Sequence, residues 1–118
     1  MSIRRLERGE WTGFCIYATR VLVGKRAEME VLSLELGSQV EVRRVPLSGM
    51  AYDAASDVLE LLFGDEMDHL IRAPRELYVD EESLGIVSLQ IVDSGGIRQI
   101  ITLRDPLLLA SPDNGRRG

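Results

Sequence analysis

Apolar and polar residues alternate twice in the last third of the chain, on either side of a glycine-rich break. Val87, Leu89 and Ile91 alternate with Ser88 and Gln90, and Asp93-Ser94-Gly95-Gly96 interrupts. Ile97, Gln99, Ile101 and Leu103 then resume the run, with Arg98, Thr102 and Arg104 opposite. A period of two on both sides of such a turn predicts an antiparallel hairpin with one buried face. Near the amino terminus the period lengthens. Between residues 9 and 23, Trp11, Phe14, Cys15, Ala18, Val21 and Leu22 recur at steps of three and four. That spacing predicts one amphipathic helix, ended by Gly24. Ile16, Tyr17 and Val23 fall off the stripe, so the helix is expected to be covered on a second side or to meet a partner subunit.

Between these ends the period is again two, with interruptions. Ala27, Met29 and Val31 alternate with Glu28 and Glu30, after which Leu32, Leu34 and Leu36 take over the apolar role. A one-residue slip turns every side chain over, so a β-bulge is expected near Val31-Leu32. Gly37-Ser38 predicts a turn, residues 40–42 a returning strand, Pro46 an edge or a kink, 50–52 a third strand and 58–63 a fourth. His69-Leu70-Ile71 is a short apolar segment in a loop region from 64 to 74, and 77–79 reads as a fifth strand. With the closing hairpin, the expected fold class is α+β: an amino-terminal amphipathic helix on a curved antiparallel sheet of six to seven strands. Such a sheet can also curl into a partly closed barrel. One domain is expected over residues 1–110. Leu107-Leu108-Leu109 is expected to pack back on the core and 111–118 to form a disordered tail.

Composition narrows the classes. At 118 residues, one core can form without staples, and the lone cysteine, Cys15, cannot make an internal disulfide. The charged start Ser2-Ile3-Arg4-Arg5-Leu6-Glu7-Arg8 is unlike a signal peptide, and no apolar run approaches a membrane span, so a cytoplasmic location is expected. Removing the +2 of residues 1–8 and the +1 of residues 111–118 from the net −5 leaves −8 on the body. An acidic body repels phosphate, which argues against nucleic acid as a partner.

Four segments resemble a family of small bacterial proteins catalogued only as a domain of unknown function. They are Arg5-Leu6-Glu7-Arg8-Gly9-Glu10-Trp11, Leu47-Ser48-Gly49-Met50-Ala51-Tyr52-Asp53, Asp68-His69-Leu70-Ile71-Arg72-Ala73-Pro74-Arg75-Glu76, and the closing hairpin with Arg98-Gln99-Ile100 and Arg104-Asp105-Pro106-Leu107. The resemblance implies a bacterial source and a stand-alone domain, and it brings no catalytic residues with it.

The best candidate for chemistry is His69, the single histidine, beside Asp68 and near Asp65, Glu66 and Glu76. A histidine with carboxylates can act as a general base or hold a divalent ion. The plainer reading makes it a hydrogen-bonding group of the 64–74 loop. Arg72 and Arg75 flank Ala73-Pro74 where ten of the nineteen carboxylates cluster, between Asp53 and Glu82. Ion pairing is their plain role, and fork-like binding of a carboxylate or phosphate the functional one. Cys15 lies on the helix stripe and reads as core. No phosphate-binding loop, nucleophile elbow or paired-cysteine motif is present, and no cofactor or metal is expected. The expectation is a non-catalytic protein-interaction domain, with a homodimer or an unidentified protein as partner. The alternative is a small-ligand or metal-dependent enzyme centred on Asp68, His69, Arg72, Arg75 and Glu76.

Overall fold

A computed structural model describes residues 2–22, 24–33, 37–64, 67–83 and 85–104. Strand β1 (Ser2–Leu6) leads through a single 3-10 turn (Arg8–Glu10) into helix α1 (Trp11–Val21). Seven further strands follow: β2 (Arg26–Ser33), β3 (Gly37–Asp53), β4 (Val58–Phe63), β5 (Met67–Arg72), β6 (Pro74–Glu82), β7 (Gly85–Asp93) and β8 (Arg98–Arg104). They pair antiparallel throughout in the order β1-β6-β7-β8-β2-β3-β4-β5, so the sheet is open and its edges are β1 and β5. Eight strands among the described residues replace the six to seven expected, and the barrel does not close.

The extra strands come from two places. The arginine-rich start forms β1 against β6, with Leu6 opposite Leu77. The short apolar segment around His69 is the middle of β5, not part of a loop. The two strands expected on either side of Pro46 are one continuous 17-residue strand, β3. Its first half pairs β2 as far as Pro46, and its second half pairs β4 from Leu47. A proline donates no backbone hydrogen bond, so the place where a strand changes partner is where it costs least. The flanking groups are still satisfied, Leu47 N donating to Lys25 O at 2.9 Å and Gly64 N to Pro46 O at 2.7 Å. The irregularity predicted near Val31-Leu32 falls earlier, between Ala27 and Glu30. Gly37-Ser38 opens β3 instead of forming a turn. The closing hairpin forms as expected. Asp93 organises its turn, its Oδ1 accepting from Gly95 N at 2.9 Å and Ile97 N at 3.0 Å, while Gly96 takes φ +84. Residues 105–118, with the leucine run and the expected tail, lie outside the described residues.

The switch at Pro46 gives two layers. Inner residues Leu77, Val79, Leu89, Ile91, Ile101 and Met29 come from the larger layer, and Leu59, Leu61, Phe63 and Ile71 from β4 and β5. Helix α1 adds Trp11, Phe14, Cys15 and Ala18 to the same cluster, and Leu22, which caps its end, joins them. Burying such side chains stabilises by roughly 1.5–3 kcal/mol each, and this is why helix and sheet stay together. Val21, expected on the buried stripe, is 43 % exposed, as are Ile16 (56 %) and Tyr17 (46 %). The helix is thus covered on one side only, among the described residues. A polar contact fixes its seat. Thr19 Oγ1 accepts from Met50 N at 3.0 Å and lies 2.9 Å from both Met50 O and Cys15 O. The helix therefore covers the edge of β3 that β2 has left.

Candidate functional site

Strand alternation decides what the predicted site residues can do together. In β5 the side chains of Asp68, Leu70 and Arg72 point to the outer face, while Ile71 is buried on the inner one. His69 shares the inner face, opposite Leu61. It is half-buried, and its Nε2 lies 2.5 Å from Oε1 of Gln99 on β8, the buried polar residue of the core at 7 % exposure. One ring nitrogen thus satisfies a buried amide on another strand, a hydrogen-bonding role but not the expected one within the 64–74 loop. Past the corner at Ala73, Arg75 is exposed and Glu76 is half-buried, where its Oε1 accepts from Tyr78 OH at 2.6 Å. That bond raises the Tyr78 hydroxyl pKa. The structure therefore brings Asp68 and Arg72 onto one face, turns His69 to the other, and leaves Arg75 and Glu76 beyond the bend. No group of three or more metal-capable side chains converges among the described residues.

The outer face of β3, β4 and β5 is the part of this region with a shape that could hold something. A groove of about 300 Å3 is lined by apolar Ala51, Val58 and Leu70 interleaved with polar Asp53, Ser56, Glu60 and Arg72. Glu60 is hydrogen-bonded to Asp68, which holds its carboxyl above the usual range because the bond favours the protonated form. Among the described residues the ion pairs involve Arg4 and Arg8, and Arg72 is not in one.

A second constellation was not visible in the sequence. Arg8 Nη1 donates to Tyr52 OH at 2.9 Å and to Asp57 Oδ1 at 3.1 Å, and Nη2 donates to Pro74 O at 3.0 Å. Tyr52 OH donates to the same Asp57 oxygen at 2.7 Å. The guanidinium carbon lies 4.5 Å from the centre of the Trp11 ring, and that ring meets Tyr52 edge-on at 5.1 Å. Two non-glycine residues with positive φ meet here, Asp57 (+56) and Ala73 (+51), joined by Ala73 N donating to Asp57 O at 2.9 Å. Ser94 N donates to Ala73 O at 2.9 Å, so the turn of the closing hairpin is tied in as well. The hydrogen bond to Asp57 raises the Tyr52 hydroxyl pKa and, together with Arg8, lowers that of Asp57. A tyrosine kept protonated and a carboxylate kept ionised make a stable clasp and a poor proton relay. Separations of 44 and 49 residues hid this contact from any spacing rule. One signal was present: Arg8 and Trp11, Tyr52, and Pro74 come from three different segments that carried the family resemblance.

Residues 2–112 match a family of unknown function, DUF5335. The chain belongs to that family. A DUF5335 assignment covers nearly the whole chain and agrees with the resemblance read from the sequence: this is a small bacterial domain of unknown function. An uncharacterized protein of Aquifex aeolicus (strain VF5) is 34 % identical over 109 residues, which is 92 % of this chain and 98 % of that one. No solved structure matches the chain. Among the described residues no helix is long and apolar enough to cross a membrane.

Proposed function

We propose that this DUF5335 chain is a non-catalytic interaction domain that works through protein contacts and associates with a second copy of itself. The observation that carries the reading is the placement of large apolar side chains outside the core. Ile16, Tyr17 and Val21 project from the uncovered side of α1, Leu62 and Leu70 from the outer side of β4 and β5, and Met67, also exposed, starts β5 on its inner side. Scattered exposed hydrophobics are ordinary, but here they gather on the helix and beside an unpaired sheet edge. Light scattering coupled to size exclusion over a concentration series tests it. Self-association in the micromolar range is expected; a strict monomer at high concentration that recovers no partner refutes it.

The groove supports a second reading. Arg72 with Asp68, and the neighbouring His69, Arg75 and Glu76, would bind a small ligand or a divalent ion, with the chain acting as an enzyme. Arg72 lining the groove opposite Val58 and on the same face as Leu70 is what favours it. Thermal-shift screening against divalent ions and small carboxylates checks this reading. It fails if nothing shifts the wild-type midpoint, or if Arg72→Ala and His69→Ala shift with ligand as the wild type does.

A further inference from the structure

We infer that two copies of this chain pair edge to edge through β5, antiparallel about a two-fold axis at Leu70, setting Asp68 of each copy against Arg72 of the other. The inference rests on the self-association reading and assigns its surface. β5 is the last strand of the sheet, hydrogen-bonded to β4 alone, and no backbone bond reaches its free side among the described residues. An open row of backbone donors and acceptors is a template for another strand.

Charge decides which strand fits. In an antiparallel pair, opposed residues share a face, so a two-fold axis must centre on a residue and not between two. Centred on His69, the pairing sets Asp68 against Leu70; centred on Ile71, it sets Leu70 against Arg72. Only the axis at Leu70 opposes Leu70 to itself and flanks it with two Asp68–Arg72 pairs. That arrangement uses the whole exposed face of the strand. Each copy also presents an unmet need. Asp68 is hydrogen-bonded to Glu60, so the row carries two carboxylates, and Arg72 stands outside the ion pairs of the described residues. The other edge is not self-complementary: β1 carries Arg4 and Arg5 and no acid, so its symmetric pairing gathers positive charge. Joined at β5, the three-stranded layer β3-β4-β5 becomes a continuous sheet of twice the width.

The test uses complementary charge reversals in the full chain. Asp68→Arg faces Arg72 with arginine, and Arg72→Asp faces Asp68 with aspartate, each twice per dimer. Opposite-charge cross-strand pairs are favourable and like pairs unfavourable, so each variant alone should raise the dimer dissociation constant by about tenfold or more. An equimolar mixture restores both pairs and should return the constant to within about threefold of wild type, as a heterodimer by native mass spectrometry. A second measurement does not depend on the charge variants. Leu70→Cys should cross-link to itself on mild oxidation, since opposed Cβ atoms lie about 4.5–5.5 Å apart. Met67→Cys should not, and the buried Cys15 supplies no background. A dimer unmoved by both reversals, or a mixture that stays monomeric, overturns the β5 interface and leaves self-association standing on another surface. A wild type monomeric throughout overturns both.

Discussion

Replacing Thr19 by valine isolates the contact that seats the helix. The two side chains are close in shape and both are β-branched, so neither a cavity nor a large change in helix propensity confuses the result. What disappears is one hydroxyl. It accepts from Met50 N at 3.0 Å and has its proton within reach of Met50 O and Cys15 O, both at 2.9 Å. A single proton serves one carbonyl at a time, and Cys15 O is also placed to accept within the helix. The irreplaceable bond is therefore the one to Met50 N, on a residue only 4 % exposed. Leaving a buried N–H against a methyl costs about 1–3 kcal/mol. Adding about 0.5–1.5 kcal/mol for the lost donation and offsetting about 1 kcal/mol for the extra buried methyl at the upper end, the expected destabilisation is about 1.5–3 kcal/mol, a large share of the ~5–15 kcal/mol typical of a domain. In a chain of this size that lowers the melting temperature by about 6–12 °C. Urea unfolding followed by circular dichroism reads it as a lower midpoint at unchanged slope. Thr19→Ser keeps the hydroxyl and should lose under about 1 kcal/mol. A valine variant within about 0.5 kcal/mol of wild type, or a serine variant as damaged as the valine, would show that the helix is held by apolar packing alone.

Three further outcomes follow from the corners and the core. Ala73 sits at φ +51 immediately before Pro74, where a Cβ costs about 1–2 kcal/mol, so Ala73→Gly should stabilise by up to about 1 kcal/mol and Ala73→Val destabilise; the reverse order of midpoints would refute the strain. The Tyr52 and Arg8 hydrogen bonds hold the Asp57 carboxyl below its usual range. Its contribution is therefore complete above the unfolded value near pH ~4 and is lost as pH falls toward the lower folded value. Asp57→Asn should flatten that acid limb in denaturation curves at pH 3–7, and an unchanged limb refutes the assignment. Burial pushes the Cys15 thiol up to about 11, so thiol reagents at pH 8 should label it only under unfolding conditions; rapid labelling of the folded protein would place it at the surface.

The elements legible in the sequence were those with one wet and one dry face. The closing hairpin alternates cleanly across Asp93-Ser94-Gly95-Gly96, and Trp11, Phe14, Cys15, Ala18 and Leu22 repeat at helical spacing, so both formed where expected. β5 was harder. Its outer face mixes Asp68, Leu70 and Arg72, and its inner face mixes His69 with Ile71, so polarity does not alternate although burial does. β1 was hidden because three of its five residues, Ile3, Arg4 and Arg5, are exposed at an edge. Pro46 misled for a physical reason: a proline breaks a ladder but not a strand that is changing ladders. Val21 failed as a core residue because the stripe of an 11-residue helix is narrower than its apolar content. Of the five candidate site residues, only Asp68 and Arg72 end on a common face. Their i, i+4 spacing means adjacency on a helix but, on a strand, one side with Leu70 between.

The same residue chemistry does two different jobs in this chain, and partner separation tells them apart. Arg8 reaches Tyr52, Asp57 and Pro74 O across three elements and stacks on Trp11, so its charge is spent within the molecule. That clasp holds the 3-10 turn to the β3–β4 turn and to the corner at Ala73, where two positive-φ residues need support from their surroundings. Substituting Arg8 should therefore disturb the corner and, through it, the start of β6. Arg72 lies on the outer face of β5 with Asp68, lines the groove with Glu60, and is outside the ion pairs of the described residues. An arginine is expensive to order and rarely left idle beside acids on a strand edge. The functional surface of this fold is thus best sought not where polar groups are most densely bonded but at β5, where they are aligned and still open.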